Sequence, residues 1–192
     1  MCTTVTSDWS SRAQTRLQWR PVYTIRRSTP GDLPFMLDML YEAAAVGWVL
    51  REAEAPAREA LLAHPSNARY LDGWGRPGDA GVIAEDPDGP RLGAAWYRLF
   101  APHERGDGIV AERGVPEVAI GVMPDARGRG IGEALLTALL GVARESGFER
   151  VALSVDPANP ARRLYERCGF HELPTGNPHA GTSVLMEAET PR

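Results

Sequence analysis

No lysine occurs in this chain. All 21 basic residues are arginines, set against 25 acids, for a net charge of −4 at pH 7. That balance offers no basic face for a phosphate backbone, so no nucleic-acid partner is expected. A biased genomic base composition accounts for the preference for arginine. The two cysteines, Cys2 and Cys168, are too few for a disulfide framework. The four histidines, His64, His103, His171 and His179, form no i, i+4 pair and have no cysteine pair nearby, so no metal site is expected. No apolar run approaches the ~20 residues that a membrane span requires, and the opening residues lack an apolar signal core. Together these absences predict a cytoplasmic protein with no membrane partner.

What is present is an ordinary globular composition: 192 residues, 43% hydrophobic and 24% charged, enough for one domain with a sizeable core. Residues 1–21 are rich in Ser, Thr and Arg without a period and read as a flexible N-terminal extension to a domain at 22–192. Alternation predicts a strand over 22–27. Thr29-Pro30-Gly31-Asp32 has the chemistry of a helix start, and Leu33, Met36, Leu37, Leu40 and Tyr41 follow at helical spacing. Residues 51–72 read as one or two helices interrupted near Pro65. A hairpin is predicted with strands at 81–85 and 91–100 around Asp86-Pro87-Asp88-Gly89. A polar loop over 101–115 follows, long enough to be functional. Then come a strand at 117–122, a helix at 130–146, a strand at 151–155, a short helix at 161–168, and strands at 170–173 and 183–187. Strand, helix, strand from 117 to 155 predicts a right-handed crossover between parallel strands.

Between that strand and that helix stands Arg127-Gly128-Arg129-Gly130-Ile131-Gly132. Glycines here let backbone N–H groups approach an anion, the helix N-terminus adds a positive field, and the arginines add charge. A pyrophosphate suits such a turn, although the same glycines also serve a tight turn with close helix–strand packing. No Gly-Lys-Ser/Thr follows, so this is not a Walker loop. The spacing Gly128-x-Gly130-x-Gly132 is not a dinucleotide fingerprint either.

Val118-Ala119-Ile120-Gly121-Val122-Met123-Pro124 followed by Arg127-x-x-Gly130-x-Gly132 resembles motif A of the GNAT superfamily of N-acetyltransferases. Asn159-Pro160-Ala161-Arg162-Arg163-Leu164-Tyr165-Glu166-Arg167-Cys168-Gly169-Phe170 resembles its motif B. The paired motifs cover residues 117–170, and the order of elements extends the likeness to about 23–187. The resemblance implies an α/β fold with a mixed central sheet of about six to seven strands and helices on both faces. It implies acetyl-CoA as cosubstrate, lying where two parallel strands splay apart. The pantetheine arm is expected along the backbone of Ile120, Gly121 and Val122, with a bulge in that strand aiming free N–H groups at it. The pyrophosphate is expected on Arg127, Gly128, Arg129, Gly130, Ile131 and Gly132. Asn159 stands six residues before Tyr165, where many members have seven. It is either a cofactor contact or a cap for the helix that follows.

The implied activity is acetyl transfer to a primary amine of a small molecule or peptide, directly within a ternary complex. Lacking lysine, the chain offers no lysine for self-acetylation. Glu117, at the start of the motif A strand, matches the family's general base, and as a residue it could equally be a strand-end carboxylate. Tyr165 matches the general acid beside the sulfur, and could equally be a packed aromatic. A phenol with a pKa near ~10 holds its proton at neutral pH and can donate it. A backbone N–H near Val122 is the expected oxyanion donor. Cys168 has no recognisable histidine partner and is not read as a nucleophile. Candidates for the acceptor pocket are Trp48, Trp74, Trp96, Tyr97, Arg98, His103 and Glu104. Alternation sets Trp96 and Arg98 on one face and Tyr97 and Leu99 on the other, one of which must be core. A strand edge near the C-terminus leaves a homodimer open. The competing reading is a non-catalytic acetyl-CoA-binding sensor or interaction module.

Overall fold

The computed structural model describes residues 23–87, 89–101, 104, 114–174 and 183–192. The extension at 1–21, His103, and most of the loop at 101–115 lie outside them. Along the described chain run β1 (Thr24–Arg27), α1 (Leu33–Leu50), α2 (Arg58–Ala63), α3 (Pro65–Ala68), β2 (Asp79–Glu85), β3 (Arg91–Arg98) and β4 (Glu117–Val122). These are followed by α4 (Ile131–Glu145), β5 (Arg150–Val155), α5 (Arg162–Arg167), β6 (His171–Glu172) and β7 (Val184–Glu189). The strands form one sheet in the order β1-β2-β3-β4-β5-β7-β6. Every pairing is antiparallel except β4 with β5.

Both faces of the sheet are covered, and the period-2 alternation of each strand distributes its side chains between two cores. Val82, Tyr97 and Val118 meet Leu135, Leu136 and Leu139 of α4 on one face, with Tyr165 and Phe170 from the α5 region. Ile83, Ala94 and Trp96 meet Met36, Met39 and Leu40 of α1 on the other. Strands buried on both faces read as nearly continuous apolar runs, as β2 and β3 do. The expectation that one face of β3 would line a pocket is therefore corrected: Trp96, Tyr97 and Arg98 are all buried.

The chain enters α1 through a turn of 3-10 helix at Pro30–Asp32. The Asp32 carboxylate accepts from the Thr29 N–H and hydroxyl, both at 2.8 Å, and from Arg26 at 2.8 Å. The Arg26 hydrogen bond is the main reason its carboxyl is held well below the usual range. Pro30–Leu50 is, by length and composition, apolar enough to cross a membrane, which corrects the expectation that no such run exists. Beyond Asp32, two carboxylates interrupt it, and both are paired: Asp38 with Arg58 at 2.6 Å and Glu42 with Arg127 at 2.7 Å. One side of its first half packs on β3 and β4. From Tyr41 to Leu50 the helix has no buried residue, although its sequence is mostly apolar.

A single glycine lets α1 come this close. A Cβ built on Gly121 would lie 2.3 Å from the carbonyl oxygen of Met39. Backbone meets backbone there, so neither side can yield by turning a side chain. The β3–β4 ladder runs in unbroken register from Gly93↔Val122 to Arg98↔Glu117. The bulge expected in β4 is thus absent; among the described residues a register shift falls instead at Ala84/Glu85 in the β2–β3 pair.

Gly121→Ala should destabilise the protein by about 1–3 kcal/mol through overpacking. Gly141, inside α4, has nothing within 4 Å of its would-be Cβ, so Gly141→Ala should stabilise by about 0.5–1 kcal/mol. Urea midpoints of the two variants check both signs.

Candidate active site

Strands β4 and β5 are paired at one position only, Glu117↔Ala152, where the Ala152 N–H donates to the Pro116 carbonyl at 3.0 Å. Beyond that rung they separate. On its other side β4 stays bonded to β3 as far as the Met123 N–H, which donates to the Leu92 carbonyl at 2.9 Å. Because backbone groups alternate along a strand, Ala119, Gly121 and Met123 face β3, and Ile120 and Val122 present their N–H and C=O to the gap. Gly121 therefore borders the gap without aiming an amide into it, and its part is to admit α1.

The gap opens a cleft of about 400 Å³. Ile120, Gly121 and Val122 line one side, and Asn159, Ala161, Leu164 and Tyr165 line another. Ala43, Val46, Val49 and Leu50 of α1 border it as well. The α1 residues were not among the sequence candidates. The signal was there: Ala43-Ala44-Ala45-Val46-Gly47-Trp48-Val49-Leu50 has no polar face, so a helix with only one side on the core would leave apolar surface for a second contact.

At the mouth of the cleft, Gly128 and Gly130 take φ of +75° and +78°, a left-handed conformation that costs other residues about 1–2 kcal/mol. Gly130 is the N-cap of α4 and supplies no side-chain hydrogen bond. The first intrahelical bond runs from the Ala134 N–H to the Gly130 carbonyl at 3.1 Å, which leaves the preceding N–H groups without helical partners. This is a cradle fit for an anion. The Ile131 side chain is buried in the core, so only its backbone can take part, and Arg129 is exposed. Gly132 lies against α5, where a Cβ would meet Leu164 Cδ2 at 2.9 Å. Arg127 does not point freely outward: its Nε donates to the Val122 carbonyl at 3.1 Å and its Nη2 to Glu42 at 2.7 Å. Asn159 Oδ1 accepts from the Ala161 N–H at 2.9 Å, closing the turn before α5 while the residue also lines the cleft.

Tyr165 lines the cleft with its ring packed near Phe170, centroids 6.0 Å apart. Burial pushes its phenol up to about 12, so it stays protonated at neutral pH. Glu117 lies apart from the cleft lining, at the last rung before β4 and β5 part, and is 3% exposed. Its Oε1 accepts from the Tyr70 hydroxyl, and its Oε2 has no partner among the described residues. Burial pushes the carboxyl from its ordinary 4.5 up to about 7, against the opposing pull of the Tyr70 hydrogen bond and the Arg69 charge.

The aromatic candidates sort differently. Tyr97 packs edge-on to Phe148 and donates to Ser146 Oγ at 2.9 Å. Arg98 is held by Asp79 at 2.9 and 2.7 Å, under the Trp74 ring at 5.7 Å. Trp96 is core, Trp48 is exposed at the end of α1 outside the cleft lining, and Glu104 binds Arg76. Cys168 is half-buried, and burial raises its thiol. Among the described residues no cluster of potential metal ligands occurs.

The sequence matches the Acetyltransferase (GNAT) family over residues 37–170. It is 30% identical over 149 residues to a mycothiol acetyltransferase of Cellulomonas flavigena, covering 72% of this chain and 42% of that one. With a mycothiol acetyltransferase of Salinispora tropica it shares 42% identity over 92 residues, covering 46% of this chain and 28% of the relative. The chain thus spans less than half the length of these relatives. Among solved structures it resembles ribosomal-protein-alanine N-acetyltransferase from Brucella melitensis, with a TM-score of 0.60, 26% identity, and coverage of 86% and 99% of the two chains. It is also similar to a phosphinothricin acetyltransferase of Sinorhizobium meliloti in complex with AcCoA, with a TM-score of 0.60, 25% identity, and coverage of 88% and 89%.

The Glu117 carboxyl titrates higher folded than unfolded. Its contribution to stability is therefore whole below about pH 4.5 and is lost as pH rises through about 7. Glu117→Gln cannot ionise. Its stability relative to the native protein should improve across that window by up to about 3 kcal/mol and level off above it. Urea unfolding at about pH 5 and about pH 8 measures the difference.

Proposed function

Because this chain belongs to the GNAT acetyltransferase family, we propose that it moves an acetyl group from acetyl-CoA to a primary amine of a small molecule or peptide by direct transfer. The observation that carries this reading is the parting of β4 from β5 beside an uncapped helix N-terminus, with a half-satisfied buried carboxylate at the last rung.

Acetyl-CoA would supply an acyl group activated as a thioester. Ile120 and Val122 hold the pantetheine arm with the backbone groups that β5 leaves unpaired. Residues 127–132 hold the pyrophosphate through the N–H groups that open α4, with Asn159 on the far side of the cleft. Arg127 starts bound to Val122 and Glu42 and exchanges these partners for phosphate.

An ammonium has no lone pair to attack with, so the acceptor must lose a proton first. Glu117 Oε2, which lies apart from the cleft lining, takes it through water. A base titrating near about 7 is ionised often enough at neutral pH to act and basic enough to be effective. The Val122 N–H, free of the sheet, stabilises the oxyanion. Tyr165 Oη gives its hydrogen to the departing sulfur, which its raised pKa keeps available. Cys168 takes no part, since a thiol raised by burial is mostly protonated.

Thiol release from acetyl-CoA across amino acids, polyamines and alanine-terminated peptides tests the proposal. At least one acceptor should stimulate release, and Glu117→Gln and Tyr165→Phe should each lower the rate about 100-fold. Tight CoA binding with no stimulating acceptor would replace it with a binding module.

A further inference from the structure

Around Glu117 three buried polar atoms have no partner among the described residues: Glu117 Oε2, Trp96 Nε1 and Arg69 Nε. In the β3–β4 register Arg98 stands opposite Glu117 and Trp96 opposite Ala119. Trp96 and Glu117 are therefore diagonal neighbours on one face, within reach of long side chains. Of the two Glu117 oxygens, Oε1 receives the Tyr70 hydroxyl and Oε2 has no donor among the described residues.

Tyr70 is held in place from several directions. It follows α3, and Arg98 donates to the carbonyls of Arg69 and Asp72 on either side of it, both at 2.6 Å. Arg98 is itself locked by the buried Asp79. The Tyr70 ring meets Phe100 edge-on at 5.6 Å, and the Arg69 guanidinium lies over both rings at 5.5 and 5.8 Å. Packing alone would be served by phenylalanine. A phenol clamped onto one oxygen of a buried carboxyl does something further: it leaves the other oxygen as the single open acceptor and favours the ionised form.

We propose that Tyr70 is the positioning residue for the proton acceptor of this site, binding Glu117 Oε1 so that Oε2 alone faces the incoming proton. The inference rests on the reading of Glu117 as the base. The phenol remains a donor throughout, because burial and the adjacent carboxylate raise its own pKa well above the ordinary value. Of the other charges nearby, the Arg69 guanidinium also lowers the Glu117 carboxyl, and it stays in place in both Tyr70 variants; the rest are tied elsewhere. Arg98 is bound to Asp79, and across Ala152 the Glu187 carboxylate of β7 is bound to Arg150 at 3.2 Å. From α1, the Met39 backbone lies against Gly121 of β4.

The test follows the carboxylic-acid C=O stretch of Glu117 by infrared titration, assigned by its loss in Glu117→Gln. The native midpoint should fall near about 7. Tyr70→Phe should move it upward by about one pH unit, and a fluorotyrosine at position 70, nearly the same size but a stronger donor, should move it downward. Opposite shifts support the proposal, and a midpoint that stays put in both overturns it. Should the phenylalanine variant fail to fold, the direction of the fluorotyrosine shift decides alone. Thiol release separates the two readings. If Glu117→Gln transfers acetyl at the native rate, both fall. If Glu117→Gln is impaired and the midpoints do not move, this proposal falls and the base assignment stands.

Discussion

Strand β4 is bonded to β3 along its whole length and to β5 at a single rung. The rest of the site depends on this inequality. A sheet that continued would consume the backbone groups of Ile120 and Val122 and leave no cleft. A sheet that parted earlier would lose the rung at Glu117, and with it the burial that lifts this carboxyl toward neutrality. The parting is tolerated because β5 is paired along its other edge with β7, from Arg150↔Glu189 to Val155↔Val184. The freed edge of β4 is partly met by Arg127, whose Nε binds the Val122 carbonyl.

Two close approaches then shape the cleft. Gly121 brings the backbone of α1 onto β4, and Gly132 brings α5 against the start of α4. Ion pairs reinforce the geometry without setting it. Glu42–Arg127 and Arg51–Asp156 tie the α1 region to the two sides of the cleft, both at 2.7 Å and both partly exposed, and such pairs contribute at most about 1 kcal/mol each. The Arg98–Asp79 pair is of another kind. Both side chains are 1% exposed, and removal of either partner would strand a buried charge. Through the carbonyls of Arg69 and Asp72 that pair reaches the segment carrying Tyr70, so a buried ion pair and the Glu117 carboxyl belong to one network.

Much of this was legible in the chain. The strand at 117–122 was read with its observed bounds, and α4 was read to within a residue at each end. In both cases the signal is local: alternation for the strand, and glycines followed by an apolar stripe for the helix. The paired motifs likewise pointed to the family and the fold. The acceptor-side aromatics were not separable by the same means. Trp96, Tyr97 and Arg98 look equally available in sequence, and all three are buried because helices cover both faces of β3. Alternation tells which residues share a face and is silent on what lies against it.

The sequence by itself determined the order of elements, the glycine turn and the helix it opens, and it named Glu117 and Tyr165 as candidates. Each of these follows from residues within a few positions of one another. Only the tertiary structure decided that β4 would part from β5 after one rung, that Gly121 would face a carbonyl, and that Tyr70 would bind Glu117. Those facts join residues far apart in the chain, 47 positions for Tyr70 and Glu117. No period or spacing encodes such a meeting. Packing brings the partners together, and burial then raises the proton affinities of an ordinary carboxylate and phenol.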